Sequence, residues 1–179
     1  MATATAPASL QQLLEMEEPQ NGYYELHDGA ITLMTFPLHD HTLAQNRLVR
    51  LLTPRLDRFG VVDKEFPYAA TRENARRADV AVISHARWNA TPPKSVFEGS
   101  PELVVEVVSP SNTPSQLKKL ELLCLASGAI QFWTVYADVR LIEVRDNQGR
   151  AATYAAGSAI PLDAFACLDP LPVDAIFAE

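Results

Sequence analysis

The run Leu103-Val104-Val105-Glu106-Val107-Val108 constrains this chain more than any other segment, because a single acid stands among aliphatic residues that are nearly all β-branched. Such a run reads as a strand buried in the middle of a sheet, not one with a wet face. Strand side chains alternate, so Leu103, Val105 and Val107 share one face and Val104, Glu106 and Val108 the other. An unpaired carboxylate in apolar surroundings is costly enough to protonate, so Glu106 needs a cation, a donor network or the mouth of a site.

Asp79 poses the same demand at the head of the apolar segment Ala78-Asp79-Val80-Ala81-Val82-Ile83-Ser84, directly after Arg76 and Arg77. If the two strands are neighbours, their carboxylates approach closely, and a shared metal or proton makes that tolerable. Carboxylate oxygens completed by water suit Mg²⁺ or Mn²⁺. The alternative is structural: Asp79 caps or pairs with Arg77, and Glu106 forms a buried salt bridge with a helix lysine.

The flanking sequence supplies the other elements of an α/β fold. Ser9 with Gln12 forms a capping box for a short helix through about Glu18. Tyr23-Tyr24-Glu25-Leu26 and Ala30 to Thr35 flank His27-Asp28-Gly29, a hairpin signal. Leu43, Ala44, Leu48, Leu51, Leu52 and Leu56 recur at helical spacing from about Thr42 to Phe59, with Pro54 expected to kink the helix or split off its last turn. A strand at 61–66, a polar break at 71–77, the Asp79 strand and a proline-containing loop at 89–101 lead into the Glu106 strand. Ser109 to Thr113 reads as a turn and N-cap for a helix from about Pro114 to Ser127, with Gly128 ending it. Ile130 to Ala137, Val139 to Asp146 and Ala151 to Gly157 read as further strands. One mixed sheet flanked by helices accounts for all of this.

At 179 residues the chain fits one domain, residues 1–179. Cys124 and Cys167 are its two cysteines and have no metal-ligand spacing, so neither a disulfide framework nor a zinc ribbon is expected, and free thiols fit a reducing cytoplasm. The N-terminus has no basic region and meets Glu15, Glu17 and Glu18 before an apolar run develops, so neither a secretory signal nor a membrane partner is expected. The formal net charge of -7 disfavours strong non-specific attraction to nucleic acid. It leaves room for an acidic enzyme that gathers carboxylates around a cation and keeps a local basic strip.

Five segments together resemble the PD-(D/E)XK nuclease superfamily and, within it, the Uma-type family of putative restriction endonucleases. They are YYELHDGAI, His41 before the first long helix, RRADVAVIS, PELVVEVVSPSN and LASGAIQFWTV. The resemblance spans most of the chain and implies a restriction-endonuclease-like α/β (α+β) fold with an N-terminal helix and hairpin. It further implies a Mg²⁺- or Mn²⁺-dependent endonuclease acting on DNA, with Asp79 and Glu106 as metal ligands, the Val107 carbonyl as a further ligand and Glu25 as an accessory acid. A homodimer is left open. The family's usual lysine two residues after the glutamate is Val108 here, and its migrated position on the next helix falls on Leu120, so Lys118 and Lys119 are the candidates for orienting the attacking water. A one-residue offset turns a helical side chain by about 100°. A nuclease fold that no longer cuts and serves as a binding or assembly module is therefore the alternative function.

His39-Asp40-His41 lacks a third spaced ligand, so it reads as polar loop, with His41 an accessory site residue by resemblance. Arg47, Arg50 and Arg58 share one helix face and fit either a phosphate track or a solvated surface. Arg72, Arg76 and Arg77 lie closer to Asp79 and are the better candidates for substrate contact. Phe132, Trp133 and Cys124 read as core.

Overall fold

The computed structural model describes residues 7–36, 38–109 and 112–178. Pro110 and Ser111, in the expected turn before the second long helix, lie outside the described residues, as does the very start of the N-terminal segment.

The chain runs α1 (Leu10–Leu14), β1 (Tyr23–His27), β2 (Ala30–Met34), α2 (His39–Leu56), β3 (Gly60–Thr71), β4 (Asn74–Ser84), α3 (His85–Ala90), β5 (Leu103–Val107), α4 (Pro114–Ala126), β6 (Gln131–Tyr136), β7 (Leu141–Asp146), β8 (Ala151–Ala155), β9 (Ala159–Leu162), β10 (Cys167–Pro172) and α5 (Val173–Phe177). Eight strands form one mixed sheet in the order β2-β1-β4-β5-β6-β7-β8, with β3 also on β4. Among the described strands only β5 and β6 pair in parallel, and α4 is the crossover between them.

Local chemistry accounts for the boundaries. Ser9 and Gln12 form the capping box of α1, and Thr113 and Gln116 form another at α4. The β1-β2 turn places Asp28 at φ 49° and Gly29 at φ 77°, the two positive dihedrals that a two-residue hairpin with strand-matched twist requires. Helix α2 begins at His39, so His39-Asp40-His41 forms its first turn and not a loop. It also continues through Pro54 to Leu56. The proline forfeits the hydrogen bond that its N–H would give to the Arg50 carbonyl, and buried Leu52 and Leu56 hold that end on the sheet nonetheless. The expected polar break at 71–77 narrows to Arg72-Glu73, because β3 and β4 are one long hairpin.

Two apolar layers cover the sheet. One joins Leu48, Leu52 and Leu56 of α2 to Val80, Val82, Val105, Trp133 and Val135, together with α5 and the β9-β10 pair. The other joins Phe66, Tyr68, Ala78, Ala81, Val104 and Phe132 to Cys124 of α4. Phe132, Trp133 and Cys124 are core, as expected. Strict alternation fails at one place in the hairpin. Ala78 faces the α4 layer while Val80, two residues on, faces the α2 layer; Phe66 and Val62 on β3 are divided in the same way. Both strands therefore change face around Asp79 and Glu65.

Candidate acid site

Strand β4 is longer than either neighbour on its second edge. It meets β1 at Leu26–Ala75 and β5 only from Val80–Val105 to Val82–Leu103, so residues 76–79 lie in a fork between β1 and β5. Continuing the β5 register by one residue sets Asp79 opposite Glu106, and the β3 register sets it opposite Glu65. The strand neighbourhood that the two lone acids required is present.

Side chains fill the fork in place of ladder hydrogen bonds. Asp79 Oδ2 accepts from the Val107 backbone N–H at 2.7 Å. Its Oδ1 accepts from Gln45 Nε2 at 2.9 Å and pairs with His41 Nε2 at 2.8 Å. Gln45 Nε2 donates to Glu65 Oε1 as well. On the β1 side, Glu25 Oε1 accepts from the Arg77 backbone N–H at 2.8 Å, and Oε2 meets His27 Nε2 at 2.7 Å. Arg76 Nη1 lies 3.9 Å from the same Oε2.

Glu106 is held differently. The residue keeps some exposure, yet its Oε1 is sealed from solvent and has no hydrogen-bond partner among the described residues. Burial, then the charges of Asp79 and Glu25, push its carboxyl well above the usual range, against a partial offset from the Asp79 backbone amide. Burial and Asp79 also raise Glu65, although the Gln45 hydrogen bond and nearby Arg77 and His41 oppose this. Burial works against protonation of His41, but the hydrogen bond to Asp79 and the charges of Asp79 and Glu65 outweigh it and hold its pKa above the ordinary value. The Tyr23 hydroxyl is raised by burial and by Glu25, Glu65, Asp79 and Glu106, so it lies within the field of all four acids.

The expected site residues thus divide. Asp79, Glu106, Glu25, Val107 and His41 converge, and Arg76 and Arg77 border them. Lys118 does not join: its Nζ pairs with Glu121, which also holds Arg145 Nε at 2.7 Å. Lys119 is exposed, and Leu120 packs against the α4-side core. Neither structural alternative for the acids holds as stated, since Asp79 pairs with His41 and Gln45, and Glu106 Oε1 has no partner among the described residues.

Glu65, Gln45 and Tyr23 are members of the site that the sequence reading did not single out. Gln45 had a signal, because it lies one turn after His41 on the stripe that continues as Leu48 and Leu52, where a polar side chain must answer something on the sheet. Glu65 had none. Its φ of 51° is a left-handed conformation rare for glutamate, of the kind that clusters at functional positions.

The matching family model is that of Uma2, described as "Putative restriction endonuclease", over residues 10–168. The chain belongs to this family. No functionally curated protein matches the Uma2 chain. A crystal structure of a putative nuclease of the DUF820 group from Anabaena variabilis superposes with a TM-score of 0.82 at 20% identity, covering 96% of this chain and 98% of that one. At that identity the likeness speaks for the restriction-endonuclease-like fold.

Restriction-endonuclease-like proteins generally use divalent metals, and the residues of this Uma2 chain fit one. Among the described residues, no three His, Cys, Asp or Glu side chains converge closely enough to hold an ion as they stand. The unpartnered Glu106 Oε1, however, is an acceptor beside a second carboxylate, and hard oxygen ligands with water completing the shell match a small divalent cation. Asp79 and Glu106 would hold it.

Proposed function

We propose that this Uma2 protein is a Mg²⁺- or Mn²⁺-dependent endonuclease that hydrolyses DNA phosphodiester bonds at the Asp79/Glu106 fork. The observation that carries the reading is the sealed, unpartnered Glu106 oxygen one register step from Asp79. A bound divalent cation would lower the pKa of a coordinated water and neutralise charge on the phosphate. Asp79 and Glu106 would hold that cation, with the Val107 carbonyl as a further ligand. His41 and Gln45 orient Asp79 from α2. Glu25 ties β1 to β4 through the Arg77 amide and sets the width of the fork. Arg76 and Arg77, which border the fork, contact substrate phosphate in this reading. Free thiols at Cys124 and Cys167 suit a cytoplasmic enzyme, and no helix among the described residues is long and apolar enough to cross a membrane.

The test is Mn²⁺ or Mg²⁺ titration by calorimetry alongside cleavage of plasmid and single-stranded DNA. Wild type binds and cuts; Asp79→Ala combined with Glu106→Ala does neither. Metal binding that survives the double substitution removes the assignment.

Leu120 on the α4-side core, with Lys118 engaged elsewhere, favours a second reading: a nuclease fold that binds nucleic acid or assembles without cutting. Metal binding without cleavage of either DNA form, in wild type, supports that reading over the first.

A further inference from the structure

Beside the acid fork, a cleft of about 860 Å³ opens between α1, the β1 strand and the α3 region. Its size is within the about 300–1,000 Å³ typical of small-ligand sites. Its lining includes Leu10, Leu13 and Leu14 of α1 and the aromatic residues Phe66, Trp88 and Phe97. Trp88 is 40% exposed and leans on Phe66 at 6.2 Å between ring centroids. Glu25, Arg76 and Arg77 line the cleft where it meets the fork.

The two arginines are unusual in what they leave unused. Nε and Nη1 of Arg76 and Nε of Arg77 are sealed from solvent and make no hydrogen bond among the described residues. Arg76 Nη2 donates to Asn74 at 3.0 Å, and the Arg77 guanidinium lies 4.1 Å over the Tyr23 ring, so both forks are held in place. Both arginines are part-exposed and line the cleft, so an oxyanion there can meet the open part of each guanidinium and balance a fixed cation whose sealed N–H groups lack an acceptor. Glu25 accepts instead from the Arg77 amide and His27, its contact with Arg76 being the long one.

Phosphate at the arginines and a flat ring on Trp88 are the two halves of a nucleotide. Resting on the nuclease reading above, we propose that the cleft receives one unstacked nucleotide of a single-stranded nucleic acid, its phosphate on Arg76 and Arg77 and its base against Trp88. A base inside a duplex cannot reach such a lining without leaving the stack, so single-stranded or frayed substrate is preferred.

The two tryptophans make the test selective, because Trp133 is fully buried and Trp88 is not. Tryptophan fluorescence of the full chain is followed during titration with short oligothymidylate, with Ca²⁺ present to neutralise the acids. Saturable quenching is expected, lost in Trp88→Phe if the phenyl ring still binds. Affinity falls at least about fivefold in Trp88→Ala, the low end of a base–aromatic stack, and more in Arg76→Gln. A base-free oligomer with the same phosphates binds more weakly than oligothymidylate and gives no quenching, and a blunt duplex hairpin binds more weakly than both. Equal affinity of wild type and Trp88→Ala, or equal binding of base-free and thymidylate oligomers, overturns the proposal. Metal-dependent cleavage with no quenching removes the cleft and leaves the nuclease reading intact; quenching without cleavage does the reverse.

Discussion

Asp79 stands one register step beyond the last β4-β5 ladder pair, Val80–Val105, opposite Glu106, and its carboxylate takes the Val107 amide that a longer ladder would have used. The strand edge thus ends in a side chain, and the two acids are locked together by the same peptide that anchors the sheet.

That arrangement fixes how stability depends on pH. Glu106, Glu65 and His41 all have folded pKa values raised above their ordinary values of 4.5, 4.5 and 6.5. The folded protein then holds protons that the unfolded chain has released. Their contribution is fully present below the unfolded pKa and is lost as pH rises through the folded one, at up to about 1.4 kcal/mol per pH unit for each group. Without metal, Tm is expected to fall as pH climbs above about 4.5, and Glu106→Gln is expected to flatten that slope and to stabilise the protein at pH 8. A gain of about 1 kcal/mol corresponds to about 2–4 °C at this chain length. Thermal scans from pH 4 to 9 check this; an equally steep slope in Glu106→Gln refutes the shared-proton account.

The same protons must leave when a cation enters. Carboxylates bind metal deprotonated, and a protonated His41 on Asp79 repels it, so Mg²⁺ or Mn²⁺ binding near pH 7 is expected to release about one proton or more. Calorimetry in buffers of different ionisation enthalpy measures the count directly. His41→Asn should release fewer protons and show a shallower dependence of affinity on pH.

Some of this was legible from residue order and some was not. Glu106 and Asp79 stood out because each is the lone acid of an apolar strand, and burial makes that expensive whatever the fold. The β9-β10 pair was not foreseen because Pro161, Pro170 and Pro172 argue against strands. A two-stranded sheet consists only of edges, where a missing N–H is tolerated. Glu65 sits among Asp63 and Lys64 in a segment of ordinary charge, and what sets it apart is its place across the hairpin from Asp79 and a left-handed dihedral, neither of which local sequence encodes. The face change at Glu65 and Asp79 was invisible for the same reason, since alternation in each half strand looks regular.

Gln45 bridges Asp79 and Glu65 from a buried position on α2, so Gln45→Leu removes two charge-assisted bonds and leaves both acceptors short. A loss of about 2–4 kcal/mol is expected, or roughly 4–16 °C in Tm. Divalent metal should restore part of it by replacing the donor. Thermal unfolding of wild type and variant with and without Mn²⁺ settles the point; a variant as stable as wild type without metal means that Gln45 does not carry the pair.

The α4 lysines offer the sharpest test of whether this fold is poised to cut. Leu120 packs on the same side of the sheet as Val104, the face that Glu106 shares by alternation. One turn later, the Cys124 thiol is pushed up to about 12, chiefly by burial, with Glu106 among the charges acting on it. A lysine at 120 would therefore begin its reach close to Glu106, whereas Lys118 is engaged with Glu121 and Lys119 points to solvent. Leu120→Lys is expected to raise Mn²⁺-dependent cleavage about tenfold or more by supplying a cation beside the acids. Lost packing should cost about 1–2 kcal/mol. Lys118→Ala and Lys119→Ala should each leave cleavage within about twofold, the scale of an exposed charge. If instead either lysine proves essential and Leu120→Lys is silent, α4 turns toward the acids when substrate binds, and the water-orienting group is the one that the family spacing places a residue too early.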